Sequence, residues 1–174
     1  DTTNGNIDID NASAATATYT TVTTGTGSIT VDNSGGGAAV FTTVTTTDGA
    51  VDLEATGGNL TVGTAVTAGG SNNASLTTTT SGNVVLTGTT TAAGDQVMVT
   101  SAGSINGAGL VTGSTIDLNA VSGIGDTTQL ELAGTALTAD TTNGNIDIDN
   151  ANAATATYTT VTTGTGSITV DNSG

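Results

Sequence analysis

The chain is 174 residues long and contains no lysine, arginine, histidine, cysteine, proline or tryptophan. Its 15 carboxylates and lack of cationic side chains give a formal net charge of -15. Because no side chain can neutralise phosphate, this composition excludes nucleic-acid binding and attraction to an anionic membrane surface. The absence of cysteine excludes disulfide bonds. No run of about 18 apolar residues is present, so we predict no membrane insertion.

The same absences argue against an enzyme. No histidine, cysteine or lysine is present to serve as a general base or nucleophile. Glu54 and Glu131 are the only glutamates, and a carboxylate pair can hydrolyse glycosides, but no motif surrounds either residue. We therefore predict a chain that is not an enzyme and that has no cofactor, with calcium as the one candidate metal.

What the chain does contain is a long internal repeat. Residues 1–35 and 140–174 have the same sequence apart from one change, from Ser13 to Asn152. We divide the chain into one long repeat, residues 1–139, and the start of the next copy, residues 140–174. The sequence predicts a longer natural polypeptide with further copies. Near-identity of the copies favours a spacer, in which length matters more than a unique surface.

A shorter repeat becomes visible when the first residues are written in rows of 22. Like residues then share columns: Ile7, Ile29 and Val51; Ile9, Val31 and Leu53; Val22, Val44 and Val66; Tyr19 and Phe41; Asn11 and Asn33. A period of about 20 residues with like side chains stacked is typical of a solenoid, because each coil covers the next with the same residue.

Within each coil, apolar and polar residues alternate, as in residues 5–10 and 27–32. This period of two predicts β-strands, with isoleucine, valine and leucine facing inward. No stretch shows helical spacing of apolar residues. We therefore predict an all-β fold, a parallel β-helix with coils of about 20–24 residues.

Glycines mark the corners of the predicted coils. An apolar strand residue is usually followed five positions later by a glycine that opens the next strand, as Val22 is by Gly27. Glycine in a corner suits a positive φ or a close approach to the neighbouring coil. The interval from Gly49 to Gly58 breaks this count, so the long repeat is predicted to hold six or seven coils. At about 4.8 Å per coil, one unit would advance roughly 29–34 Å.

Loose repeat motifs occur along the chain, as in Ser104-Ile105-Asn106-Gly107, Ser114-Thr115-Ile116-Asp117-Leu118 and Ser122-Gly123-Ile124-Gly125-Asp126. They resemble the repeats of filamentous-haemagglutinin-like large exoproteins, the adhesins of Gram-negative bacteria, and the likeness spans the whole chain. The resemblance implies a right-handed parallel β-helix. It also implies export through the outer membrane and a shaft that carries adhesive ends away from the cell.

An acidic column is the sharpest polar feature, with Asp10, Asp32 and Glu54 at the same position of successive rows. Stacking would place like charges about 4.8 Å apart, at a cost of roughly 1 kcal/mol per neighbouring pair even in water. Calcium prefers several oxygen ligands and would relieve this repulsion. We therefore consider a calcium site at these three residues beside the alternative of a solvated acidic surface.

Threonine columns and aromatic residues offer two further alternatives. The columns of Thr20 and Thr23 extend over three coils, and flat threonine arrays on β-helices resemble the ice-binding surfaces of some antifreeze proteins. Outward threonines are also simply good uncharged strand formers. Exposed aromatic rings would suit a glycan, whereas the shared column of Tyr19 and Phe41 favours an internal stack.

These observations together predict a structural segment of a long secreted repeat protein, an extracellular fibre or adhesin stalk at the cell surface with a role in adhesion or a biofilm matrix. The expected partners are neighbouring repeats of the same chain or other copies end to end. A surface receptor or glycan is not specified by the sequence. The alternative is a binding module, either ice-binding through the threonine columns or glycan-binding.

Overall fold

The structure is a computed structural model that describes residues 1–174, and it is an all-β solenoid of about eight turns. Its 18 strands form one sheet, and the pairings between them are parallel. The strands are β1 Thr2–Asn4, β2 Ile7–Asp10, β3 Ala17–Thr26, β4 Ile29–Asn33, β5 Ala39–Asp48, β6 Val51–Thr56, β7 Leu60–Thr67, β8 Ala74–Thr79, β9 Val84–Leu86, β10 Thr89–Ser101, β11 Ser104–Asn106, β12 Val111–Ala120, β13 Gly123–Ile124, β14 Leu130–Ala133, β15 Ala136–Thr141, β16 Ile146–Asn150, β17 Thr157–Thr163 and β18 Ile168–Asp171. No helix long and apolar enough to cross a membrane is present.

Each coil crosses three stacks of strands, which we name A, B and C in chain order. A column of mostly inward, apolar residues defines each stack, and successive members of a column are paired in parallel ladders. Stack A contains Ile7, Ile29, Val51, Ala74, Val97, Ile116, Leu137 and Tyr158; stack B contains Ala17, Ala39, Leu60, Val84, Ile105, Ile124, Ile146 and Ile168; stack C contains Val22, Val44, Val66, Thr90, Val111, Leu132 and Asn150. The predicted parallel stacking of β2, β4 and β6 is confirmed.

The core lies between the stacks and is one cluster of 32 buried apolar residues that extends from Val22 to Ile148. Alternation within the strands produces it, because every second side chain points inward. The predicted aromatic stack is also confirmed: the rings of Tyr19 and Phe41 have centroids 4.8 Å apart and an interplanar angle of 10°. Phe41 is fully buried, so this pair belongs to the core.

Asparagine side chains at strand ends point into the coil and form hydrogen bonds there. Asn33 is fully buried, and its side-chain amide donates to the backbone carbonyl of Gly37 at 2.7 Å. Its own side-chain oxygen accepts a hydrogen bond of 2.6 Å from the amide of Asn11 in the preceding coil. The polar column of Asn11 and Asn33 therefore lies inside the solenoid, where both donor and acceptor are satisfied.

Glycines occupy the corners because adjacent coils approach most closely there. A Cβ atom on Gly27 would overlap the carbonyl oxygen of Gly5, and one on Gly82 would overlap that of Gly58. Both corners also have positive φ, +141° at Gly27 and +106° at Gly82. These two constraints, space and backbone conformation, require glycine at each position.

A partly buried threonine hydroxyl completes the corner. Thr24 Oγ1 donates to the carbonyl of Gly5 at 3.0 Å, and Thr163 Oγ1 donates to the carbonyl of Gly144 at 2.7 Å. In both cases the threonine lies three residues before the next corner glycine and reaches back to the coil beneath it. The hydrogen bond satisfies a carbonyl that the turn removes from the strand ladder.

Two glycine tracks run along the solenoid, and they explain the broken glycine count. One track, between stacks C and A, contains Gly5, Gly27 and Gly49; the other, between stacks A and B, contains Gly37, Gly58, Gly82, Gly144 and Gly166. Gly49 and Gly58 are therefore both corners of the same coil, at opposite ends of strand β6. Their spacing is the length of one stack A segment.

The long repeat is out of phase with the coils. Following stack A from Ile7 through six turns leads to Leu137. The equivalent of Ile7 in the second copy is Ile146, which follows Leu137 in the chain and pairs with Ile124 in stack B. The unit therefore holds six whole coils and part of a seventh, and the two copies of one sequence occupy different stacks.

Candidate functional surfaces

The predicted acidic column is formed on stack A, where Asp10 pairs with Asp32 and Asp32 pairs with Glu54. Asp10 is exposed, and Glu54 accepts a hydrogen bond of 3.2 Å from Thr79 Oγ1. One oxygen of Asp32, Oδ1, is buried without a hydrogen-bond partner. No group of three or more acidic side chains surrounds one potential metal position. The calcium site therefore stays a prediction.

A second acidic column lies outside stack A and contains Asp149 and Asp171, the second copy's equivalents of Asp10 and Asp32. Glu131 pairs with Asp149, and Asp149 pairs with Asp171. The side-chain amide of Gln129 donates to Asp147 Oδ1 and to Asp171 Oδ2, each at 2.9 Å. A neutral amide thus supplies two hydrogen bonds to carboxylates that have no cation to pair with.

The threonine columns extend further than their sequence spacing indicates. On stack C, Thr23 starts a register-paired column of five residues, followed by Thr45, Thr67, Thr91 and Thr112. Beside it runs a second column of Thr21, Thr43, Ala65 and Thr89. We name these nine residues the threonine surface. The expectation of three coils was wrong for the Thr23 column, because the coil from Thr67 to Thr91 is longer than the preceding ones and equal rows hide the alignment.

The geometry of the threonine surface follows from strand pairing. All nine residues are exposed or half-buried, and the surface contains no charged side chain. Neighbouring coils place hydroxyls about 4.8 Å apart along the axis, and alternate residues of one strand place them about 6.7 Å apart across it. The Thr20 column lies at the bend between stacks B and C and is not part of this array.

Two open grooves are the remaining concave features. One, of about 350 Å³, contains the outward column Thr100, Asn119, Asp140 and Thr162. The other, of about 400 Å³, lies among residues that include Ala93, Thr112, Ala133 and Asn152. Neither groove is lined by an aromatic ring, so both lack the stacking platform that a sugar would use.

Tyr158, the equivalent of Tyr19, has a different environment because its copy lies on stack A. It pairs with Leu137, and its hydroxyl donates to Asn172 Oδ1 at 3.3 Å. Burial raises the pKa of Tyr158, a nearby hydrogen bond from Asn150 lowers it, and the charge of Asp149 raises it further. One residue type in one local sequence thus has two environments in the same chain.

Comparison with known proteins adds no further assignment: no family model, curated protein or solved structure matches the chain.

Proposed function

We propose that the chain is a shaft segment of a long repeat protein, an extracellular fibre or adhesin stalk whose task is to span distance. The continuous core supports this proposal: its buried members form one cluster that extends from Val22 to Ile148. Since each coil contacts only its neighbours, adding coils adds length and stability together.

The distribution of chemistry also supports a shaft. The chain has no histidine, cysteine, lysine or arginine, so it lacks the residues that most often activate a hydroxyl nucleophile as a base, and it has no cationic side chain for binding. Its strictest structural requirements are internal, in the corners and the core. A surface of threonine, asparagine and aspartate keeps such a fibre hydrated, and the net charge of -15 disfavours collapse of one segment onto another.

The proposal is tested by the length of tandem proteins. Chains with one, two and four joined copies of residues 1–139 should be rods of constant cross-section in small-angle X-ray scattering. The maximum dimension should increase by about 30 Å per unit, because adjacent coils are about 4.8 Å apart. Particles that stay compact, or whose radius of gyration grows as that of a flexible chain, would contradict a shaft.

A second candidate function, ice binding, is favoured by the threonine surface alone. Its hydroxyls form two columns held by the strand ladders, one of them interrupted at Ala65, and no member of the surface is charged. Such an array can order water in a fixed pattern, because the side chains are β-branched and restricted in χ1. The partners implied by this function are ice crystals and not a protein or glycan.

Thermal hysteresis separates the two functions. If the surface binds ice, the chain should depress the freezing point below the melting point, and the triple variant T45K/T67K/T91K should lose that activity. The matched control is T30K, which places one lysine at an exposed position on stack A. Absence of hysteresis in the unmodified chain, with circular dichroism showing an intact β-fold, would exclude this candidate.

A further inference from the structure

The two copies of residues 1–35 lie at different angular positions around the solenoid. Strand β2 of the first copy belongs to stack A, whereas its equivalent in the second copy, strand β16, pairs with β13 in stack B and with β14 in stack C. The converse also holds. Residues 18–24 lie on stacks B and C, and their equivalents in β17 lie on stack A over β15. The same sequence therefore occupies stack A in one copy and stacks B and C in the other.

The corner chemistry permits this exchange. Gly144 is the equivalent of Gly5, but it belongs to the track between stacks A and B. The hydroxyl bond is kept in the new position, since Thr24 donates to Gly5 at 3.0 Å and Thr163 to Gly144 at 2.7 Å. The corner module is therefore the same at both corners, and a copy can enter the solenoid at either one.

The internal asparagine bond is retained as well. Asn11 donates to Asn33 at 2.6 Å in the first copy, and Asn150 donates to Asn172 at 3.3 Å in the second. In the first copy these residues end a strand of stack A, and in the second they end strands of the B and C side. Each copy thus keeps the same local hydrogen bonds. The position of a copy around the solenoid axis is set by the number of residues that precede it.

We infer that successive copies of the long repeat display the same surface on alternating sides of the shaft. This inference rests on the proposed function, because it concerns a chain of joined units. Six turns along stack A lead from Ile7 only to Leu137, so each unit advances by six turns and nearly half of another. Two units come close to thirteen coils, which brings the third copy back near the first position.

The consequence is an interaction surface on two sides. The column that starts at Asp10 and Asp32 lies on stack A, and the column of their equivalents, Asp149 and Asp171, lies on the other side together with Glu131. The threonine surface alternates in the same way, since Thr160 and Thr162, the equivalents of Thr21 and Thr23, pair on stack A. A single shaft therefore presents each array in two directions.

The present chain contains both copies, which allows a direct test. Ser13 and Asn152 are equivalent loop positions at opposite ends of stack A, whereas Ser13 and Asn143 lie at the same corner six coils apart. The chain has no natural cysteine, so the variants S13C/N152C and S13C/N143C can each carry two small maleimide gold clusters.

Electron microscopy of side views should show the S13C/N143C clusters on one edge of the rod. The S13C/N152C clusters should be offset across it by about 20 Å, the length of a six-residue strand. Two clusters in line along the axis in both variants would overturn the alternation, yet leave the shaft intact. Particles that are not rods would instead contradict the proposed function.

Discussion

At the scale of single residues, the solenoid is most demanding where its backbone segments approach each other. Gly82 has a φ of +106°, and a Cβ there would overlap the carbonyl of Gly58. Gly63 is different, since its Cβ would lie 3.5 Å from the carbonyl oxygen of Phe41, an ordinary contact. Glycine is therefore needed at the Gly82 corner and is replaceable at position 63.

This difference predicts opposite outcomes for two alanine variants. G82A should lower the free energy of unfolding by at least about 2 kcal/mol, because it combines backbone strain with steric overlap. G63A should be neutral or slightly stabilising, because alanine has less conformational entropy to lose. Urea unfolding of both variants measures the effect, and equal midpoints would show that the corner is not constrained.

The acidic column provides a second prediction at this scale. If calcium binds at Asp10, Asp32 and Glu54, removing it should lower the thermal midpoint, since a ligand held only by the folded state stabilises that state. The measurement compares chelator with added calcium at constant ionic strength. D32N is the informative variant, because it removes a charge from the middle of the column and should abolish the calcium effect. Identical midpoints in the unmodified chain would reject the site.

At the scale of strands, the sequence was sufficient for the regular part of the fold. Alternation and the constant spacing of the first rows predicted β2, β4 and β6 as parallel neighbours, and they are. The spacing could not predict the length of the threonine surface, because coil length changes between Thr67 and Thr91. It could not predict the backbone carbonyl of Gly37 either, which accepts from the buried amide of Asn33 and satisfies it.

The phase of the repeat was also beyond the sequence, for a physical reason. Corners of both tracks use the same glycine and threonine chemistry, so nothing in the local sequence distinguishes Gly5 from Gly144. The distinction depends on the accumulated length of all intervening coils. Those lengths vary, since the coil from Val51 to Ala74 is longer than the coil from Val97 to Ile116.

Disulfide trapping tests this accumulated register one step at a time. The outward positions Asp52 and Ser75 are paired on stack A, as are Asp117 and Thr138. Paired residues on adjacent strands have Cα atoms about 4.8 Å apart, within the range that a disulfide accepts. The variants D52C/S75C and D117C/T138C should therefore form disulfides under mild oxidation.

The control for this experiment is D52C/V85C, whose residues lie on different stacks in the structure. A disulfide would form in this control only if the coil after Asp52 were much longer than the one observed. Such a longer coil is the alternative register, in which both copies of the repeat would occupy the same stacks. A disulfide in this control together with none in D52C/S75C would contradict the register of stack A. Mass spectrometry after alkylation distinguishes the outcomes.

At the scale of the whole molecule, stability is distributed along an axis and has no single centre. The core cluster is continuous, but each side chain in it contacts only its own coil and the two adjacent ones. Damage to one coil is therefore expected to stay local. The ends are the weakest points, as the half-exposed Ile168 and Val170 of β18 show.

The hydrogen bonds between coils run along the axis, and this direction has a mechanical consequence. A terminus under tension transfers load to the last coil first, and a coil that detaches releases about 22 residues, or roughly 75 Å of extended chain, where it had occupied about 4.8 Å. The solenoid should thus lengthen in steps and dissipate work at each one. Optical-tweezer extension of joined units should show evenly spaced rips of about one coil, whereas a single rip for a whole unit would mean that coils yield together. A solenoid built in this way should keep its length under a load too small to detach a coil, and should extend by releasing chain under a larger load.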